Sequence, residues 1–294
     1  MRNALAILFA FFAVTILRAS EPVAIPAYEA IPHIALYATP EEFRTALRDT
    51  RFRLTRVSYS SDGLTVFAYV YAPVHARSAP LPVIVFNRGS YVWKEFAGEY
   101  LTVFHRLASA GFIVVAPMYR GSGGAQGRDE MGGADVDDLL NVMRVIRHLR
   151  SADADHVFMY GESRGGMMTY QAIREHFPMR AAAVYGAFTD LETLPHVAET
   201  AKAIWPDYEQ RRSEIVTRRS AIDWAEKLDT PILIMHGSAD KDVPPSQSLA
   251  LAQRLQALGK EYELIVRAGS NHILSDWRAG RDANAIAWFR RHMR

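Results

Sequence analysis

The stretch Asp155-His156-Val157-Phe158-Met159-Tyr160-Gly161-Glu162-Ser163-Arg164-Gly165-Gly166-Met167-Met168-Thr169-Tyr170 decides how the rest of the chain is read. Val157 to Tyr160 is a short apolar, β-prone run of the kind that fills a strand covered on both faces, and Met167 to Arg174 has helical spacing without a breaker. Between them lies Gly-x-Ser-x-Gly. A serine hydroxyl is a weak nucleophile at its own pKa, so a fold that uses one must expose the oxygen and pass its proton to a base. A sharp strand-to-helix turn does the exposing, and it needs neighbours nearly free of side chains, which Gly161, Gly165 and Gly166 supply. The amides that open the following helix, beginning with Arg164, then face the charge of a tetrahedral intermediate and make Arg164 the first oxyanion candidate. The competing reading is a glycine-rich structural turn, against which the flanking strand and helix both argue. The motif further requires an acid and then a histidine downstream.

The chain has 294 residues and 49% hydrophobic content, ample for a packed core. Residues 1–19 combine Arg2, an apolar run from Ala4 to Leu17 broken only by Thr15, and Ala19 at a cleavage position, the shape of a secretory signal. A secreted or periplasmic location is therefore expected, with an uncleaved N-terminal membrane anchor as the alternative because Leu17-Arg18 makes an indifferent cleavage site. Cleavage removes Arg2 and Arg18, which takes the 34 basic residues to 32, equal to the 32 acidic ones. Nothing in that balance calls for nucleic acid, and no stable membrane association is expected once the signal is gone. The absence of cysteine excludes disulfides, thiolate metal sites and a cysteine nucleophile together.

Residues 20–50 read as a leader and a short helix. Pro22, Pro26, Pro32 and Pro40 punctuate an extended surface segment, and Thr39-Pro40-Glu41-Glu42 opens the helix with Thr39 as its cap. The remainder, 51–294, reads as one domain. Arg51 to Ser60 and Leu64 to Ala72 alternate around Ser61-Asp62-Gly63, which predicts an antiparallel hairpin. Leu81 to Phe86 is the next strand. Helix and strand then alternate: a helix over 95–110, a strand over 111–116, a helix over 134–150, the elbow unit, strands over 181–185 and 231–236, a helix over 246–258, a strand over 261–267 and a closing helix over 282–292. The pattern predicts a mostly parallel sheet flanked by helices, with an N-terminal β-hairpin. Residues 186–230 interrupt the rhythm and are expected to be a helical cap insertion over the site, a charged surface excursion being the equal alternative.

Ile232 to Met235 is a buried-strand run, followed by His236-Gly237-Ser238-Ala239-Asp240-Lys241-Asp242-Val243-Pro244. In a parallel sheet the reactive side chains project from the carboxyl ends of strands, where this loop lies. Asp240 and Asp242 both qualify as the acid that orients an imidazole. Asp240 is favoured, since Asp242, just before Val243-Pro244, is better placed to bond loop amides. His236 is read as shaping this loop, not as a metal ligand, and no metal or cofactor is expected. The strand Tyr262 to Val266 leads to Gly269-Ser270-Asn271-His272, which places His272 in the required position among ten histidines and completes the order Ser163, Asp240, His272. The second oxyanion donor is expected from the loop after Phe86, at Gly89 or Ser90, with Arg88, Tyr91 and Trp205 as substrate-binding candidates; Trp93 and Trp277 are further pocket aromatics.

Four stretches in order, Tyr119-Arg120-Gly121-Ser122-Gly123-Gly124, Gly161 to Gly166, His236 to Pro244 and Asn271-His272, resemble the catalytic domain of the prolyl oligopeptidase family, within the α/β-hydrolase fold. The likeness runs from about Arg51 to the C-terminus. It implies Ser163 as nucleophile, Asp240 as acid, His272 as base and the Arg164 amide in the oxyanion hole. Two departures accompany it: only about thirty residues separate the expected signal from the first strand, where peptidases of the family carry a large β-propeller, and Asn87-Arg88-Gly89-Ser90 replaces the usual glycine pair. The expected function is a serine hydrolase acting through an acyl-enzyme, esterase-like, on a small-molecule ester or short peptide. The alternatives are a small serine peptidase of aminopeptidase or dipeptidyl-peptidase type, which would hold a free amino group through Asp190, Glu192 or Glu199, and a catalytically silent binding module.

Overall fold

Successive side chains in the central strands point to opposite faces, and in this protein both faces are apolar. Val83 and Val85, Val157 and Met159, Ala182 and Val184, and Ile232 and Ile234 enter one hydrophobic core. Their neighbours Ile84 and Phe86, Phe158 and Tyr160, Ala181 and Ala183, and Leu233 and Met235 enter another on the opposite face. A sheet so patterned must be covered twice. The computed structural model describes residues 21–75, 79–90, 96–195 and 197–294. The expected signal and the candidates Tyr91 and Trp93 lie outside them, as does the side chain of Glu199.

The chain begins with a two-residue strand β1 (Glu21–Pro22), a single turn α1 (Ile34–Tyr37) and α2 (Pro40–Arg48). Thr39 caps α2 as read: its hydroxyl accepts from the Glu42 amide, and the Glu42 carboxylate accepts from the Thr39 amide. The hairpin β2 (Phe52–Ser61) and β3 (Leu64–Pro73) follows, then β4 (Leu81–Asn87), α3 (Ala97–Ser109), β5 (Ile113–Pro117) and α4 (Asp135–His148). The elbow unit is β6 (Ala152–Glu162) and α5 (Arg164–Arg174). β7 (Ala181–Tyr185), α6 (Val197–Ile204), α7 (Tyr208–Arg219), β8 (Ile232–Gly237), α8 (Ser246–Ala257), β9 (Tyr262–Arg267) and α9 (Arg278–Arg291) complete the chain.

The sheet order is β1-β2-β3-β5-β4-β6-β7-β8-β9. β1, β2, β3 and β5 pair antiparallel in turn, and every pairing from β5 through β4 to β9 is parallel. After β4 the chain moves to β5 on one side and returns to β6 on the other. That reversal opens a crevice at the carboxyl ends of β4 and β6, the place where a doubly wound sheet binds ligands. This is the α/β-hydrolase architecture expected from the sequence.

Two segments differ from expectation. Residues 21–38 do not merely lie on the surface: Ile31, Ile34 and Ala38 are buried in the core that also holds α3 and α9 residues. The insertion 186–230 is helical, but it packs beside the segment around Glu130, where the Trp205 indole donates to the Glu130 carbonyl at 2.8 Å and Arg219 lies over the Trp205 ring. Among the described residues, no helix is long and apolar enough to cross a membrane.

Candidate active site

Ser163 sits between β6 and α5 with φ 50° and ψ −118°, a conformation that costs a non-glycine residue energy and persists only where the surroundings impose it. The imposition is visible in the packing. A side chain at Gly165 would put its Cβ 2.0 Å from the Asn87 carbonyl oxygen, and one at Gly161 would meet the Gly165 carbonyl at 2.5 Å. The Ser163 amide donates to the Tyr185 carbonyl at 2.8 Å, which ties the elbow to the end of β7. Arg164 is the first helical residue, so its amide has no acceptor within α5 and is directed outward at the helix start.

The loops after β8 and β9 are stitched together. The Ser238 amide donates to Arg267 and the Ala239 amide to Ser270, both at 2.9 Å, and Gly237 lies so close that a Cβ would be 2.3 Å from the Ser270 and Asn271 carbonyls. This brings Asp240 to His272. Asp240 Oδ2 lies 2.8 Å from His272 Nδ1, while Oδ1 accepts from the Asp242 and Val243 amides at 2.9 Å each. The acid that meets the histidine is thus Asp240, and it also bonds the loop amides, the task the sequence had pointed to Asp242 for. His236, fully buried, fixes the loop from behind: Nδ1 is 2.7 Å from Ser248 Oγ, and Nε2 is 2.9 Å from the Val243 carbonyl and 3.0 Å from Asp240 Oδ2. Both acceptors near Nε2 require the proton there, so His236 is a second donor to Asp240.

Burial opposes the charge of Asp240, but the hydrogen bonds from His236, His272 and the Val243 amide outweigh it and hold its pKa far below the ordinary carboxylate range. Burial also opposes a charged His272, yet the Asp240 carboxylate, with Glu162 and Asp242 behind it, raises its pKa above that of an ordinary imidazole. Because Asp240 accepts a hydrogen bond from Nδ1–H, Nε2 is left as the basic nitrogen. Gly186 packs against His272: a Cβ there would be 2.5 Å from the His272 carbonyl oxygen and 3.1 Å from Nδ1 and Cε1. Tyr185 and Gly186 therefore touch the serine side and the histidine side in adjacent residues.

The loop after β4 is built differently from expectation. The Gly89 amide donates to the Tyr100 hydroxyl at 3.3 Å, so it is not aimed at a substrate; Ser90, at φ 60°, lines the cavity beside His272 and is the remaining oxyanion candidate there. Arg88 is fully buried and bonds the Gly89, Ser90 and Met118 carbonyls and Ser122 Oγ, which takes it out of the substrate's reach. Burial, reinforced by the neighbouring Arg164 charge, pushes its pKa down to about 10. The Arg164 side chain grips Asp129 through two bonds, Asp135 through a third and the Ser90 carbonyl at 3.0 Å. The two guanidinium groups lie over the Tyr119 ring. Together they pin the Ser90 loop against the elbow.

A cavity of about 590 Å³ opens beside His272, lined among the described residues by His33, Leu36, Tyr37, Ser90, Glu99, Ala239, Lys241, Asp242, Asn271 and Ile273. Trp205 instead lines a separate depression with Arg128 and Arg211, and Trp277 packs on Gly280, so neither wall belongs to this cavity. Asp190 bonds the Glu192 amide and Thr193, and Glu192 pairs with Arg212; neither faces the cavity. The sequence reading missed Glu162, Tyr37 and Glu99. Glu162 is buried inside the elbow and accepts from the hydroxyls of Tyr37, Tyr100 and Tyr185 at 3.2, 2.7 and 2.5 Å. Its partners are scattered through the chain, so no local spacing could have disclosed it. The only grouping of metal-type side chains among the described residues is Asp240, Asp242 and His272, whose ligand atoms lie within 4.8 Å. A cation there would have to displace the bond between Asp240 and His272.

The sequence model of the prolyl oligopeptidase family matches residues 99–294, two thirds of the chain. The chain belongs to the prolyl oligopeptidase family. As a member it is an enzyme of the serine hydrolase class. It is 27% identical over 218 residues to a protein of Bacillus subtilis named as the uncharacterized peptidase YtmA, covering 72% of this chain and 82% of that one. It is 27% identical over 236 residues to the acylamino-acid-releasing enzyme of Rattus norvegicus, covering 72% of this chain but 32% of the rat enzyme. The fold matches the acylaminoacyl peptidase of Pyrococcus horikoshii with a TM-score of 0.68 at 22% identity, over 87% of this chain and 44% of that one. The chain thus spans most of the Bacillus relative and a third to under a half of the other two.

Proposed function

We propose that this family member is a serine peptidase that cleaves amide bonds of short peptides through an acyl-enzyme. The observation that carries the reading is the 2.8 Å contact of Asp240 with His272 Nδ1, with His272 packed on Gly186 next to the Tyr185 carbonyl that anchors the positive-φ Ser163 elbow. In the proposed reaction Ser163 Oγ bonds to the acyl carbon as His272 Nε2 takes its proton. The backbone amides of Arg164 and Ser90 hold the oxyanion. The scissile C–N bond then breaks, with the amine leaving on the proton returned by the imidazolium. Water attacks the acyl-enzyme, giving its proton to His272, and the acid product leaves as Ser163 recovers its hydrogen. Asp240 keeps its charge throughout and steadies the imidazolium.

The peptidase reading takes precedence over the esterase-like one because this chain matches the prolyl oligopeptidase family and because the Bacillus relative and the Pyrococcus structure are both named as peptidases. The proposal retains export, on the pattern of residues 1–19, and the mass of the mature chain checks it. The central test is labelling by a fluorophosphonate. Stoichiometric labelling of the wild type, lost in Ser163→Ala and in His272→Ala, is the expected result. Matched amide and ester panels then rank the two bonds. A well-folded wild type that takes no label overturns the reading.

A further inference from the structure

Glu99 stands in the first turn of α3, is 6% exposed, and lines the cavity that His272 and Ser90 also line. Among the described residues no hydrogen bond reaches its carboxylate, and Oε2 is fully buried without a partner. The contrast with Glu162 is informative. Two buried carboxylates share one neighbourhood, and every tyrosine hydroxyl that bonds a glutamate there goes to Glu162. A buried carboxyl oxygen with no donor is costly to keep, so its place beside a reactive centre calls for a partner that the described residues do not provide.

We propose that Glu99 is the specificity residue of this site and binds a substrate ammonium group, so that the peptidase prefers substrates bearing a positive charge near the scissile bond. The inference rests on the serine peptidase reading and deepens it. Three features suit a cation. The carboxylate oxygens accept and do not donate, and an ammonium brings three donors. Asp242 lines the same cavity, and the Glu162 charge acts on Glu99 from behind, so the cavity floor is acidic in spite of Lys241 at its wall. Burial, with the Glu162 charge second and Arg88 opposing, pushes the Glu99 pKa up to about 8, so the side chain holds its proton near neutral pH and an arriving ammonium displaces that proton and restores the accepting carboxylate. The carboxylates that the sequence offered for this task, Asp190 and Glu192, are turned elsewhere; the one that faces the cavity comes from α3.

The ammonium can be a free α-amine or a lysine-type side chain, and three diphenyl phosphonate probes separate them: the alanine analogue with a free amine, its N-acetyl form, and the N-acetyl-lysine analogue. Each joins phosphorus to Ser163 Oγ and expels phenol, so the labelling rate reads recognition without knowledge of the natural substrate. In the wild type one ammonium form reacts about tenfold or more faster than the neutral N-acetyl-alanine form, and Glu99→Gln brings that ratio close to one. Glu99→Asp, which withdraws the charge by one methylene, replaces the Gln variant if the latter loses labelling by a general fluorophosphonate. A wild type without preference for either ammonium form, or a variant that keeps the preference, overturns the inference while leaving the peptidase reading in place. A wild type that no general fluorophosphonate labels overturns both.

Discussion

Asp240 divides its work between two oxygens, one turned to imidazoles and one to loop amides. Asp240→Asn keeps the shape and the amide bonds but removes an acceptor opposite His272 Nδ1, so the ring loses the tautomer that leaves Nε2 basic. The expected outcome is a fall in kcat/KM of about 10³- to 10⁴-fold with unchanged circular dichroism. The pH consequence has a definite sign. A raised His272 pKa means the base is neutral only above the ordinary imidazole range, so the acid limb of kcat/KM lies above about pH 6.5. NMR titration of the His272 ring in Ser163→Ala checks it, and a midpoint at or below the ordinary value contradicts it. For Asp240 the depressed pKa contributes stability that is present above the unfolded carboxylate value of about 3.9 and is lost as pH falls toward the folded one. Asp240→Asn should therefore flatten the acid side of the stability profile.

At the scale of elements, the site depends on how closely α5 approaches the end of β4. Gly165 has the Asn87 carbonyl where a Cβ would go, and backbone cannot yield as a side chain does. Gly165→Ala is expected to cost about 2–4 kcal/mol in urea unfolding and to slow fluorophosphonate labelling, because the elbow and the Ser90 loop are forced apart. This part was legible in the sequence: apolar alternation gives the strands, glycines around Ser163 give the elbow, and the loops after β8 and β9 give the Asp240 and His272 that meet at 2.8 Å. Other parts were not. β6 begins at Ala152, where Asp153 and Asp155 hide a strand that pairs with Leu81 and Pro82. α9 starts at Arg278 because Gly280, a helix breaker in isolation, lets the Trp277 indole lie against the backbone. Gly89, in the loop after β4, reads as free for an oxyanion, but its amide donates to the Tyr100 hydroxyl of α3. Contacts made by residues far apart in the chain leave no local periodicity, and these are the ones that sequence reading missed.

Across the whole molecule, the leader is a structural part of the catalytic unit. Ile31 presses on α3 so closely that a Cβ at Gly98 would lie 2.6 Å from its Cδ1. Ile34, 5% exposed, anchors the turn from which Leu36 and Tyr37 reach the cavity and Tyr37 reaches Glu162. The elbow backbone is held by β4, β7 and α5, and among the described residues the leader reaches the elbow through the Tyr37 hydroxyl on the Glu162 side chain. The two dependencies can therefore be separated. Ile34→Ala removes most of a buried side chain and is expected to cost about 2–4 kcal/mol by urea unfolding. It loosens one wall of the cavity without moving Ser163. Labelling by a small fluorophosphonate, which needs only the activated serine, should then stay near the wild-type rate. Peptide substrates that fill the cavity should show a higher KM with a smaller change in kcat. Equal losses in labelling and in peptide turnover would mean that the leader supports the triad directly, and that the wall and the machinery are one structure.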